Sequence, residues 1–205
     1  AVFFIAHLHA SPFNGTAPTF RAGFSEKDIT PDIGMEQPGN YGKTYHKKFH
    51  DQCKVRAVVF DDGRKKVALV GVDLIFITRR VVEITRAEIE SACGISGKDI
   101  MIGASHSHSS GPIAMSEPGD FDDADPFVKD LATNMSIVSD PGFIQYLQHQ
   151  IVAAVVDANA SLQDAKLAVG VGKEDKVAFN RRMRMKNPHA ITLLKPGGRD
   201  VNIAK

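Results

Sequence analysis

Two histidines separated by a single residue are the part of this sequence best suited to chemistry. They lie in SHSHSSGP, residues 105–112, directly after a short apolar run. In an extended backbone, residues i and i+2 project to the same face, so His106 and His108 would present two imidazoles side by side. Such a pair suits metal ligation and polarisation of a substrate oxygen. The serine, glycine and proline that follow favour a tight turn that brings backbone close to a ligand.

The histidine pair alone leaves two structural interpretations open. It could be a surface pair, or it could include a core histidine held by hydrogen bonds. A zinc site needs three or four ligands, and the chain contains no HExxH or CxxC motif that would supply the others. The residues therefore predict a candidate metal site whose coordination shell is incomplete.

Strands and helices are predicted to alternate along the chain, which favours a mixed α/β layered domain. A strong turn signal, Asp-Asp-Gly-Arg at 61–64, separates two strands that should form a hairpin. The predicted strands are Phe20–Asp28, Lys54–Phe60, Lys66–Leu74, Asp99–Ala104, Lys166–Gly172 and Ile191–Leu194. One helix should run from Thr78 to Gly94, and a second should open at Asp140-Pro141. Ile33–Thr44 is predicted as a loop and Ser109–Ser139 as a long polar connection.

Bulk composition excludes some function classes. The chain of 205 residues carries 25 Lys and Arg against 24 Asp and Glu, so it offers no electrostatic case for binding nucleic acid. No apolar run approaches the roughly 20 residues that span a bilayer. Residues 1–19 are predicted to be an N-terminal extension or the remnant of a signal peptide. Cys53 and Cys93 allow either one disulfide or two free thiols.

Four segments of the chain together resemble the N-terminal domain of the neutral/alkaline non-lysosomal ceramidases, in the order found in that family. They are AGFSEKDITPDIGM (22–35), KVRAVVF (54–60), ALVGVDL (68–74) and IMIGASHSHSSGP (100–112). A fifth, weaker match is Phe179-Asn180-Arg181. The resemblance covers roughly Ala22 to Arg182. It implies that residues 20–205 are the N-terminal portion of a zinc hydrolase domain with a layered αββα architecture, incomplete in this chain.

The resemblance implies a zinc-dependent amide hydrolase that cleaves ceramide into sphingosine and a fatty acid. His106 would be a zinc ligand, and His108 would hydrogen-bond the substrate carbonyl or the oxyanion that forms from it. Arg181 would line the site near the amide. The remaining zinc ligands of the family, a second His, a Glu and a Tyr, are expected beyond Lys205. A lipid substrate at a membrane surface and a secreted, periplasmic or cell-surface location are expected with this activity.

The sequence departs from the family pattern at two places. Two serines, Ser109 and Ser110, precede Gly-Pro where the family usually has one, and the connection from Ser116 to Asp140 is longer than usual, which bears on the alignment of Arg181. Two alternatives stay open: a zinc amidohydrolase that acts on another N-acyl lipid or amide, and a ceramidase-like domain without catalytic activity.

Two acidic features also have structural interpretations. Residues 117–125 contain five carboxylates that suggest calcium, but the EF-hand spacing is absent and a solvated loop is favoured. Asp73 could orient a zinc-bound histidine, or it could cap the helix that follows.

Overall fold

The computed structural model describes residues 20–40, 42–177, 182–184 and 190–192. The chain divides into two compact units, the first ending at Lys166 and the second beginning at Leu167. The first unit contains the histidine pair. In the second unit, β6 (Arg182–Arg184) and β7 (Ala190–Thr192) form a two-stranded antiparallel sheet.

A five-stranded mixed sheet forms the frame of the first unit. Its order is β4-β3-β2-β1-β5, and every neighbouring pair is antiparallel except β3 and β4. The strands are β1 (Arg21–Asp28), β2 (Lys54–Asp61), β3 (Lys66–Val72), β4 (Ile100–Ala104) and β5 (Gln163–Asp164). The parallel pair requires a crossover, and helix α1 (Arg79–Cys93) supplies it before a 3-10 turn, Gly97–Asp99, leads into β4.

Local sequence explains where the turns and helices begin and end. The Asp62 carboxylate accepts from the Arg64 and Lys65 amides and closes the β2–β3 hairpin. Helix α1 begins after Thr78, whose side chain caps the Val81 amide, and it ends at Gly94 in the left-handed region. These bounds confirm the sequence prediction.

Helix α3 (Pro141–Ala160) packs against β1, β2 and α1 and forms the core with the inner face of the sheet. Asp140 caps its Phe143 amide and Pro141 occupies the first turn, as the sequence predicted. Its apolar face buries six side chains, namely Phe143, Leu147, Ile151, Ala154, Val155 and Ala158. No helix in the described part of the chain is long and apolar enough to cross a membrane.

The other face of the sheet carries one exposed apolar row. Phe24, Val58, Leu69 and Met101 are register partners across β1, β2, β3 and β4. Phe24 is 67% exposed and Met101 is 62% exposed. The described unit is thus one helical layer on one sheet, with a second sheet face open, as expected for part of a layered α/β domain.

Two of the predicted elements are wrong. The Ser109–Ser139 connection contains a helix, α2 (Pro126–Thr133), which starts because Asp125 caps the Phe127 amide and Pro126 occupies the first turn. The predicted strand Lys166–Gly172 is not formed. On its β5 side, β1 pairs only with Gln163 and Asp164, and the side chains that follow stay exposed, with Val171 at 99%.

Candidate functional site

The histidine pair lies where β4 ends beside the end of β3. The parallel pairing continues past the strand, because the Ser105 amide donates to the Val72 carbonyl and the Ser107 amide donates to the Leu74 carbonyl. Between them, His106 has φ 65°, the only positive φ of a non-glycine residue in the described part of the chain. A left-handed non-glycine residue costs about 1–2 kcal/mol, and such strain is frequent at functional sites.

The two imidazoles meet, although not through the extended backbone that the sequence predicted. Their Nε2 atoms lie 3.4 Å apart, and the ring planes stand at 88° to one another. Because His106 is left-handed, simple alternation of side chains does not explain this proximity. A hydrogen bond on each ring explains it instead.

Each ring is held through its Nδ1 by a backbone carbonyl. The Nδ1 of His106 lies 2.7 Å from the Ile75 carbonyl oxygen, and the Nδ1 of His108 lies 2.9 Å from the Gly39 carbonyl oxygen. A carbonyl only accepts, so each Nδ1 must donate, and in a neutral ring Nε2 then carries a lone pair. In the neutral rings both Nε2 atoms, 3.4 Å apart, are then free to accept a proton or bind a cation.

This arrangement fits part of a metal site. Metal-bound histidines commonly donate the other ring N–H to a backbone carbonyl, which orients the ring. A histidine binds zinc through a ring nitrogen that carries a free lone pair, at about 2.0–2.1 Å. Within the described ranges, no group of three His, Cys, Asp or Glu residues could hold a metal ion, so the pair is at most a partial donor set.

A loop from the region between β1 and β2 holds the turn that carries the histidines. The Gln37 amide nitrogen donates to the His108 carbonyl and to the Ser109 hydroxyl, at 3.1 and 3.3 Å. The buried His46 donates from Nε2 to the Ser110 carbonyl at 2.8 Å. The turn is thereby tied to residues more than 60 positions earlier in the chain.

The second of the two serines before Gly-Pro has a structural role. Ser110 is fully buried, and its hydroxyl donates to the Ser107 carbonyl at 3.0 Å. Gly111 then contacts Phe143 of α3 so closely that a Cβ would lie 2.0 Å from the ring. The turn therefore accommodates the extra serine and rests on the core.

Asp73 has neither of the two roles weighed for it. Its carboxylate accepts from the Lys54 amide, the Arg56 guanidinium and the Ser105 hydroxyl. The Ile75 carbonyl orients His106, and Thr78 caps α1. Sequence reasoning missed the Ile75 and Gly39 carbonyls because a backbone carbonyl leaves no mark on residue type.

The remaining candidates lie apart from the pair or outside the described residues. Arg181, with Phe179 and Asn180, falls outside them, so its predicted role near the amide stays a prediction. Cys53 and Cys93 are free thiols, which decides between the two alternatives for the cysteines. Burial raises the pKa of the Cys53 thiol, and the nearby carboxylates of Asp73 and Asp28 raise it further.

Four of the five acidic residues between 117 and 125 have partners within the protein. Asp125 caps α2, Asp122 pairs with Lys129, and Glu117 pairs with Arg80. The Asp120 carboxylate accepts from the Glu117 amide. These contacts give the acidic cluster a structural explanation.

Comparison with known proteins relates the fold to the ceramidases. Two solved structures are similar to this chain: a neutral ceramidase from Pseudomonas aeruginosa, with a TM-score of 0.57 and 19% identity, and a ceramidase complexed with C2, with a TM-score of 0.52 and 20% identity. Each match covers 71% of this chain and 22% of the solved chain. No family model and no curated protein matches the sequence. The fold is a partial ceramidase-like α/β domain, and the chain spans about a fifth of the structures that it resembles.

Proposed function

We propose that this chain is the N-terminal part of a zinc-dependent amide hydrolase that cleaves ceramide (N-acylsphingosine) into sphingosine and a fatty acid. The observation that carries the proposal is the histidine pair, with both Nδ1 atoms donating to carbonyls and both Nε2 atoms 3.4 Å apart. The ceramidase-like fold supports the choice of substrate class.

His106 is the proposed zinc ligand, through Nε2. The Ile75 carbonyl at its Nδ1 selects the tautomer that a ligand needs. A bound zinc ion would act as a Lewis acid towards the amide carbonyl and lower the pKa of a coordinated water to about 7. The other ligands are proposed to come from residues outside those described.

His108 is the proposed proton carrier. With Nδ1 bound to the Gly39 carbonyl, the neutral ring presents Nε2 as an acceptor, so it can take a proton from water as the water oxygen bonds to the amide carbon. The imidazolium so formed then donates from Nε2 to the oxyanion, and losing one such donor typically costs about 2.7–4 kcal/mol. As the C–N bond breaks, the same proton passes to the departing sphingosine amine. Arg181 is the second proposed group near the amide.

The substrate implies where the protein works. Ceramide is an apolar lipid that resides in membranes, so we propose action at a membrane surface by a secreted, periplasmic or cell-surface enzyme.

The test compares His106→Ala with His50→Ala in the complete protein. His50 is an exposed histidine outside the pair, so it controls for the loss of an imidazole. We expect His106→Ala to lose bound zinc, measured by mass spectrometry of the metal, and to lose ceramide turnover, whereas His50→Ala keeps both.

Three results would overturn the proposal in different ways. Normal ceramide turnover by His106→Ala would remove His106 from the reaction. If a panel of substrates shows activity on other N-acyl lipids or amides but none on ceramide, the protein is an amide hydrolase with a different substrate. A complete wild-type protein that holds no zinc and hydrolyses no amide would indicate a ceramidase-like domain without catalysis.

A further inference from the structure

One glycine of the loop between β1 and β2 lies directly against the His108 ring. The Gly39 carbonyl oxygen is 2.9 Å from Nδ1 of His108. An added Cβ on Gly39 would lie 2.3 Å from that Nδ1, 2.5 Å from the ring Cγ and 2.8 Å from the His108 Cβ. Gly39 also has φ +87°, in the region that side chains disfavour. Backbone and ring are therefore in contact with no room for a side chain between them.

We propose that Gly39 is a positioning residue for His108. Its carbonyl accepts a hydrogen bond from Nδ1–H, which leaves Nε2 of the neutral ring, on the side of His106, without a proton. Its missing side chain allows the ring to lie close enough for that hydrogen bond. The inference deepens the proposed amide hydrolysis and rests on it for the catalytic role of His108, but the tautomer and ring position can be measured without substrate or metal.

The loop is built to hold the Gly39 carbonyl in place. Gln37, two residues before it, donates from its backbone amide to the Thr44 carbonyl at 2.8 Å and from its side chain to the His108 carbonyl at 3.1 Å. Asn40, directly after it, donates from its side chain to the Thr44 hydroxyl at 2.8 Å. Contacts on both sides of Gly39 thus fix the loop to itself and to the histidine turn.

The same loop carries a matched control. Gly34 has φ +93°, close to that of Gly39, but an added Cβ there would meet nothing within 4 Å. Alanine at either position imposes similar backbone strain. Only alanine at Gly39 collides with His108, so the difference between the two variants isolates the effect on the ring.

The experiment is ¹⁵N NMR of histidine-labelled protein, wild type, Gly39→Ala and Gly34→Ala, with long-range ¹H–¹⁵N couplings assigning the tautomer of His108. We expect the Nδ1–H tautomer in wild type and Gly34→Ala. In Gly39→Ala the ring is displaced from the carbonyl, so either nitrogen can carry the proton and the Nε2–H form should appear. In the complete enzyme we expect kcat for ceramide to fall by about 10²-fold in Gly39→Ala, within the usual contribution of acid–base catalysis. Zinc content should stay as in wild type, because the Ile75 carbonyl still holds His106.

Any one of three results would overturn the inference. The first is a wild-type His108 in the Nε2–H form, a measurement that decides the matter even if Gly39→Ala does not fold. The second is Gly39→Ala with the wild-type tautomer and full kcat. The third is an equal loss of kcat in the two glycine variants, which would mean that backbone strain alone matters. A wild-type protein without ceramide turnover would refute the proposed function instead, and the tautomer measurement would still test Gly39.

Discussion

Replacing Gly111 with alanine should strain the contact between the histidine turn and the core. The new Cβ would lie 2.0–2.4 Å from three atoms of the Phe143 ring, far inside van der Waals contact. Phe143 is only 3% exposed, so its ring has no free space into which it can turn. Overpacking of this kind costs about 1–3 kcal/mol. For a domain of this size each kcal/mol lowers Tm by about 2–4 °C, so the expected decrease is about 2–12 °C.

A double-mutant cycle with Phe143→Leu tests the reason for that loss. Unfolding by urea, followed by circular dichroism, gives the free energy of each single variant and of the double variant. If the ring causes the clash, the smaller leucine relieves it, and the double variant is more stable than the sum of the single effects by about 1 kcal/mol or more. Gly71→Ala is the control, because its Cβ would meet nothing within 4 Å. Additive effects at Gly111 and Phe143, or an equal loss in Gly71→Ala, would refute the explanation.

Two further predictions concern the core and acid stability. Leu147→Ala in α3 should lower the free energy of unfolding, measured in urea, by about 2–5 kcal/mol because that side chain is fully buried. Leu131→Ala in α2 should lower it far less, because Leu131 is 42% exposed. Similar decreases in the two variants would contradict the assigned core. A hydrogen bond from the Gly63 amide, together with Arg21, holds the pKa of Asp61 below its usual range. The ionised Asp61 carboxylate therefore stabilises the fold above pH ~4, and this stabilisation is lost as the pH falls through the lowered pKa. Between about pH 4 and pH 2, the Tm of Asp61→Asn should therefore decrease less than the Tm of the wild type. Asp123→Asn is the control for removal of one charge. If the Tm of Asp61→Asn decreases at acidic pH as steeply as that of the wild type, the role assigned to Asp61 is refuted.

One face of the sheet carries an exposed apolar row, and the chain matches only a small part of the longer ceramidase structures. Phe24 and Met101 lie on a face that the described helices do not cover, while the opposite face forms the core. In a layered domain such a row is buried by another layer. The solved ceramidase chains are much longer than this one, since the match covers 22% of each.

Much of the fold is predictable from the sequence because its signals are local. The β2–β3 hairpin follows from the Asp-Asp-Gly-Arg turn, and both ends of α1 follow from Thr78 and Gly94. The start of α3 follows from Asp140-Pro141. Helix α2 has the same kind of start signal, Asp125-Pro126, but it lies within the segment predicted as a polar connection. The false strand at 166–172 had the right alternation, but in the described part of the chain the pairing with β1 ends at Asp164.

The sequence also indicates which residues form the candidate site, because two histidines one residue apart directly follow an apolar strand. It does not determine how they face each other. That depends on the left-handed conformation of His106 and on two carbonyls, of Ile75 and Gly39, which come from segments 31 and 69 residues away. Carbonyl positions follow from the path of the backbone, and no residue type encodes them, so only the folded chain brings the two Nε2 atoms to 3.4 Å from one another.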